Sequence, residues 1–208
     1  VMLPRMTSLN KEGKLEEARQ LFLLSIELII VVAVAMSCGI SAISKEFTPF
    51  FFGKGYDECI RLIIALSPVL VIKGLSEIAR MQYLIPNHKE KIFIESVFCG
   101  AGVNFVVNWF LISRLGALGA VIGTLVAELV SCVWQYIKMN KYISCLTTIF
   151  KSMIYVVFGV IMFTIVRVVA LCFNGGIVAL FFEVLTGIIT YAVICLIYWK
   201  VTKNKIVG

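Results

Sequence analysis

Long apolar runs recur along the whole chain and alternate with short polar segments. Six of these runs have about the 20 residues that a helix needs to cross a bilayer. They lie at about 21–43, 59–84, 92–113, 116–137, 151–173 and 176–199. Within lipid a spanning segment must satisfy its own backbone hydrogen bonds, and a helix of this length does so. The pattern therefore predicts an all-α fold, a polytopic membrane helix bundle with six transmembrane helices.

A few polar or irregular positions predict how the helices begin and bend. Pro68 and Gly74 interrupt the second run, which predicts a kinked helix. Before the first run, Ser8 and Asn10 are residue types that start helices. The apolar residues that follow share one helical face, as in a helix lying on the membrane surface: Leu15, Ala18, Leu21 and Phe22.

Charged residues are few and unevenly placed. Hydrophobic residues make up 61% of the chain and charged residues 15%, and a soluble domain of this length has too little interior for such a composition. Thirteen Lys and Arg residues lie in one alternating set of loops and four in the other. The positive-inside rule then places the first set and the C-terminus in the cytoplasm. Membrane topology thus explains the net charge of +7, and nucleic-acid binding is not indicated.

These patterns divide the chain into five parts. They are a cytoplasmic amphipathic segment (1–20), four transmembrane helices (21–137), a cytoplasmic linker (138–150), a terminal transmembrane hairpin (151–199) and a cytoplasmic tail (200–208). The first residues, VMLPRMTSL, have the character of the end of a membrane helix. We therefore expect the chain to be the C-terminal part of a longer protein.

Ionisable residues within the apolar runs need a partner, water or a function, because each costs about 3 kcal/mol to insert. Lys73 and Glu77 are four residues apart on one face of the second span. They are either a structural ion pair or the polar lining of a substrate cavity. Arg167 and Glu183 lie in the last two spans and are placed to pair across the terminal hairpin.

The stretch VNFVVNWFLISRLGALGAVIGT carries two amides on one helical face, Asn104 and Asn108. A short turn follows, and then Gly119 and Gly123 form a GxxxG motif that allows close helix packing beside Thr124. One hypothesis is an interhelical hydrogen-bond clamp, worth about 1 kcal/mol in a membrane. The other is a dehydrated cage of oxygen atoms for a small cation.

No pattern typical of a catalytic site occurs in the sequence. The chain has one histidine, and its seven cysteines are scattered without a CxxC pair. We therefore predict a transporter and not an enzyme, without a cofactor or bound metal, and with Na⁺ or H⁺ as the candidate coupling ion.

Four segments carry a family resemblance over most of residues 1 to 137. They are LPRMTSLNKEGKLEEARQLF, FFFGKGYDEC, QYLIPNHKEK and VNFVVNWFLISRLGALGAVIGTLVAE. Together they resemble the C-terminal part of bacterial Wzx-type flippases for polysaccharide precursors, in the multidrug/oligosaccharidyl-lipid/polysaccharide (MOP) exporter superfamily. The resemblance implies a second lobe like that of the multidrug and toxin extruders (MATE), followed by a terminal helical hairpin. The first lobe of the same protein would complete the central cavity.

The resemblance also implies a function. Such a flippase moves an undecaprenyl-diphosphate-linked oligosaccharide across the bacterial cytoplasmic membrane by alternating access, for surface polysaccharide biosynthesis. Membrane lipid and a polysaccharide polymerase are further candidate partners. In some relatives, residues at the positions of Asn104, Asn108 and Thr124 help to bind sodium, although Asn108 is neutral where an acid supplies charge. The alternatives are a MATE-like, cation-coupled multidrug exporter and a non-transporting scaffold of a polysaccharide assembly system.

Overall fold

The computed structural model describes residues 2–53, 55–173 and 176–202, and over these residues the secondary structure is helical, with turns between the helices. The helices are α1 (Met2–Lys11), α2 (Leu15–Phe51), α3 (Asp57–Leu66), α4 (Val69–Ile78), a π-helical segment (Ala79–Leu84), α5 (Glu90–Leu115), α6 (Ala117–Asn140), α7 (Leu146–Ser152), α8 (Ile154–Ala170) and α9 (Ile177–Thr202). The predicted tail beyond Thr202 lies outside the described residues, as do Lys54 and two residues of the predicted hairpin turn, Asn174 and Gly175.

Six helical stretches of the described residues are long and apolar enough to cross a membrane. They are Leu15–Phe51, Asp57–Leu84, Glu90–Leu115, Ala117–Asn140, Leu146–Ala170 and Ile177–Thr202. Each of the six predicted apolar runs falls on one of them, so the all-α membrane helix bundle with six spans is confirmed.

The entry to the first span differs from the prediction. Ser8 and Asn10 lie inside α1 and do not start the helix that follows. Gly13 adopts a positive φ of 74°, a conformation that ends regular helix, and α2 begins afterwards at Leu15. The predicted amphipathic residues are therefore the first turns of a single 37-residue helix, because the chain does not break again between Leu15 and the apolar run.

The second span is interrupted where the sequence indicates. Ser67 and Pro68 form a turn between α3 and α4, because proline lacks the amide hydrogen that would continue the helical bonding. Gly74 lies inside α4 without a break. At the other end the span widens into the π-helical segment, in which Ile85 N donates to Arg80 O at 3.0 Å.

The chain divides into two compact units, and the first contains residues 2–31 and 69–152. Its centre is the antiparallel hairpin of α5 and α6, which turns at Gly116 with a φ of 57°, and α4 packs against α6. The Tyr136 hydroxyl donates to the Leu75 carbonyl oxygen at 3.1 Å and ties these two helices together. The Phe22 ring of α2 lies 5.7 Å from the Tyr83 ring.

A lysine lies between two aromatic rings at one end of this unit. The Lys89 ammonium is 3.1 Å from the centre of the Tyr142 ring and 5.2 Å from that of Tyr83. Burial lowers the pKa of Lys89, and the two rings attract its charged form through cation–π contacts. Lys89 therefore holds the loop before α5 against the segment after α6.

The second unit contains residues 32–68 and 153–202, and in it the hairpin of α8 and α9 packs beside the later turns of α2. Gly159 of α8 lies against the side chains of Val34 and Cys38. The Trp199 indole donates to the Tyr155 hydroxyl at 2.9 Å across the hairpin. Small residues and one aromatic hydrogen bond thus bring the three helices close together.

The predicted ion pair between Arg167 and Glu183 is wrong. The Arg167 guanidinium instead donates to the Glu46 carboxylate at 2.7 Å and to the Ala42 carbonyl oxygen at 3.0 Å. Both partners lie on α2, whose packing against the hairpin the sequence does not reveal.

Candidate functional site

A pocket of about 650 Å³ opens within the first unit, between α4, the π-helical segment, α5 and α6. All five predicted cavity, cation-site or clamp residues line it, and the described chain therefore brings them to one place: Lys73, Glu77, Asn104, Asn108 and Thr124. The pocket walls combine charged, amide and hydroxyl groups with the rings of Phe93 and Phe105. Such a mixture suits an amphiphilic ligand with polar and apolar parts.

Lys73 forms an ion pair across two helices. Its ammonium lies 2.5 Å from a carboxylate oxygen of Glu128 on α6, since the packing of α4 against α6 brings the two side chains together. The Lys73 side chain is 56% exposed and that of Glu128 is 23% exposed. The lysine can therefore reach a ligand in the pocket, whereas Glu128 is held in the wall.

Glu77 pairs with Arg80 and not with Lys73, so the predicted structural pair between Lys73 and Glu77 is wrong. The Arg80 guanidinium donates to the Glu77 carboxylate at 2.6 Å and lies 5.3 Å above the centre of the Phe93 ring. Arg80 lies near the end of the second predicted run and is one of the thirteen Lys and Arg residues that the positive-inside count assigns to the cytoplasmic side. The sequence therefore does not mark it as a pocket residue. Its position three residues after Glu77 is the signal that could have found it.

The two asparagines bond to each other within α5. The Asn108 side-chain nitrogen donates to the Asn104 side-chain oxygen, Oδ1, at 2.9 Å. The Thr124 hydroxyl donates to the backbone oxygen of Ala120 in its own helix at 3.0 Å. The sodium site that the family resemblance implies at these positions stays a prediction.

The glycines of the GxxxG motif are the points at which α5 and α6 touch. A Cβ atom at Gly119 would collide with the Leu111 backbone carbonyl, and one at Gly123 would collide with the Asn108 side-chain oxygen. The Asn108 side-chain oxygen therefore occupies the space above the Gly123 backbone, and in the described part of the chain it has no hydrogen-bond partner. At Asn108 and Gly123 the two helices are as close together as an interhelical clamp requires. This contact, however, contains no conventional hydrogen bond between α5 and α6.

A hydrogen-bonded group closes the other end of the same interface. The Ser131 hydroxyl donates to the Ser96 backbone oxygen at 2.9 Å, and the Gln135 amide donates to the Ser96 hydroxyl at 2.9 Å. Ser131 and Gln135 both line the pocket. These hydrogen bonds fix the spacing of α5 and α6 and hence the width of the pocket.

The described residues offer no ready metal centre, because no three or more His, Cys, Asp or Glu side chains are grouped to hold an ion. The charges that line the pocket are instead two cations, each held by a carboxylate. What this arrangement can do chemically is bind an anionic group by exchanging it for Glu77 or Glu128.

Comparison with known proteins supports the fold. No protein-family model matches the chain, and no curated protein sequence matches it. Among solved structures, a chain described as lipid II flippase MurJ in an inward closed conformation is similar, with a TM-score of 0.80 and 13% sequence identity. The match covers 98% of this chain and 44% of that one, so this chain spans less than half the length of MurJ.

At this sequence identity the likeness shows a shared fold. It agrees with the six spans found among the described residues, and we treat the chain as a multi-pass membrane protein with a MurJ-like helical fold.

Proposed function

We propose that this chain is part of a MOP-superfamily flippase of the Wzx type, which moves undecaprenyl-diphosphate-linked oligosaccharide across the bacterial cytoplasmic membrane by alternating access. The observation that supports it is the pocket itself: Lys73 and Arg80 line it within a fold shared with a lipid II flippase. Two cations with aromatic neighbours match a ligand that carries a diphosphate and sugars.

The ion pairs give the pocket an exchange mechanism. In the empty state Glu128 and Glu77 neutralise Lys73 and Arg80, which lowers the cost of holding charge in the membrane. An arriving diphosphate displaces the carboxylates and takes over the cations. Departure of the lipid on the other side restores the original pairs, and so the pocket returns to a stable empty state.

Replacement of Lys73 in the intact protein tests this proposal. Lys73→Ala should lower export of the lipid-linked glycan by on the order of tenfold or more, because a charge-assisted hydrogen bond is worth about 1.5–3 kcal/mol. Lys91→Ala, at an exposed lysine in the first turn of α5, is the matched control and should leave export unchanged. Export is measured as surface glycan and as translocation of the labelled lipid in proteoliposomes.

A double variant separates substrate binding from a structural role. Lys73→Ala leaves Glu128 unpaired, whereas Lys73→Ala with Glu128→Ala removes both charges. If Lys73 binds substrate, export stays low in the double variant. Recovery of export in the double variant would mean that the pair only stabilises the fold, and the proposal for Lys73 would be abandoned.

In the multidrug-exporter alternative, the pocket would have to bind a cation and not an anion. A lipophilic cation would bind Glu77 and Glu128, but each of these carboxylates is already paired with a cation of the chain. In an exporter, Glu128→Gln should abolish resistance to cationic drugs, and Lys73→Ala should leave surface glycan unchanged. These two results together would replace the flippase proposal with the exporter.

A further inference from the structure

A second charged cluster lies within the second unit. Three side chains interact there, between α2 and the α8–α9 hairpin: Glu46 of α2, Arg167 of α8 and Glu183 of α9. Neither of the functions considered above uses these residues. Two carboxyl groups and one guanidinium therefore share a site that needs its own explanation.

The guanidinium is already committed to one of the two carboxyl groups. Arg167 donates to Glu46 at 2.7 Å, and the same nitrogen donates to the Ala42 backbone oxygen at 3.0 Å. The Glu46 side chain is 13% exposed. This pair is balanced in charge and has a hydrogen bond at its centre.

Glu183 is the unmatched member. The residue is 0% exposed, and neither of its carboxyl oxygens has a hydrogen-bond partner among the described residues. The charged groups that interact with it are Glu46 from α2 and Arg167 from α8. An ionised Glu183 would thus be a buried anion beside a second anion, with a cation that is bonded elsewhere.

The charges of these three side chains indicate which ligand the site can bind. Two adjacent carboxylates cannot both ionise at low cost in a buried site, and an uncompensated charge in the membrane is expensive. One proton removes the excess charge and supplies the donor that the carboxyl pair lacks. A metal cation would instead meet the Arg167 guanidinium, which repels it.

We propose that Glu183 and Glu46 together form a proton-binding site in the second unit. Arg167 positions the Glu46 carboxyl group beside that of Glu183. The site holds one proton when the three helices are packed together. Loss of that proton leaves two negative charges against one positive charge and weakens the packing of α2 on the hairpin. The inference does not depend on the flippase proposal, because it concerns a protonation state and not transport.

Infrared spectroscopy of the intact protein in lipid at neutral pH tests the site directly. A protonated carboxyl group gives a carbonyl stretch that is separate from carboxylate bands and shifts in deuterated water. We expect this band in the wild type and its loss in Glu183→Gln. Glu58→Gln, at an exposed acid in the first turn of α3, is the matched control and should keep the band.

A second variant covers the case in which Glu183→Gln fails to fold. In Glu46→Gln the Arg167 guanidinium faces a single carboxyl group, so Glu183 should ionise and the band should again be lost. A wild type without the band, a band that persists in Glu183→Gln, or a band that persists in Glu46→Gln each overturns the shared proton site. Presence of the band in the wild type and its loss from each variant that folds, with the control unchanged, supports it.

Discussion

The Asn108 side chain contacts two different groups, one through its nitrogen and one through its oxygen. Its side-chain nitrogen donates to Asn104, and its oxygen lies against the Gly123 backbone. An aspartate at this position would lose the donor and place a charge against the Asn104 oxygen. The position therefore discriminates between a clamp and a cation cage.

We expect Asn108→Asp to lower the free energy of unfolding by about 1–3 kcal/mol, because it buries an unpaired charge. Asn108→Leu should cost about 1 kcal/mol, the value of a lost membrane hydrogen bond. Thermal unfolding in detergent, with sodium and with potassium, measures both changes. Asn140→Asp, at an exposed residue, controls for the change of charge. A sodium-specific gain in the stability of Asn108→Asp would instead establish the cation cage.

Single residues also show how far the sequence determines the site. Helical periodicity places Asn104 and Asn108 on one face, and the pocket uses that face. Periodicity also puts Lys73 near Glu77, but the actual partner of Lys73 is Glu128, on another helix. Ion pairing depends on which helices pack together, and no local pattern in the chain encodes that choice.

At the scale of elements, the α5–α6 hairpin depends on glycine at defined contact points. Gly119→Ala places a methyl group into the Leu111 backbone, and backbone cannot move aside as a flexible side chain can. We expect a loss of about 1–3 kcal/mol in stability, which is usual for overpacking. Gly102→Ala is the control, since no atom of another described element lies within 4 Å of its added Cβ, and it should be neutral or slightly stabilising. Thermal unfolding in detergent compares them; equal midpoints would refute the close-contact account.

The sequence predicts the presence of each membrane helix better than it predicts where the helix begins and ends. Apolar runs of the right length identify all six spans, because the bilayer demands that length. The first span nevertheless extends to Leu15 and Phe51, well beyond its apolar run, since polar residues continue a helix outside the hydrocarbon without cost. The π-helical segment also has no recognisable signal in the sequence.

At the scale of the whole molecule, the predicted orientation can be tested by cysteine labelling. Tyr56 precedes α3 and is 54% exposed, and Asn140 ends α6 and is also exposed. The distribution of Lys and Arg predicts that Tyr56 lies outside the cell and that Asn140 lies in the cytoplasm. In a cysteine-free background, a membrane-impermeant maleimide should label Tyr56→Cys in whole cells and Asn140→Cys only after lysis. The opposite pattern would reverse the topology and remove the basis for the family resemblance.

The self-neutralised pocket has a consequence for the response to voltage. A membrane potential does work only on net charge that moves across it, about 2.3 kcal/mol per elementary charge for each 100 mV. With Lys73 matched by Glu128 and Arg80 by Glu77, the empty pocket carries no net charge from these four residues. A pocket loaded with a diphosphate is negative, and a cell interior at negative potential drives it outward. In the flippase cycle that we propose, the membrane potential should therefore accelerate the loaded step and leave the empty return unchanged, and the cycle would be directional for that reason.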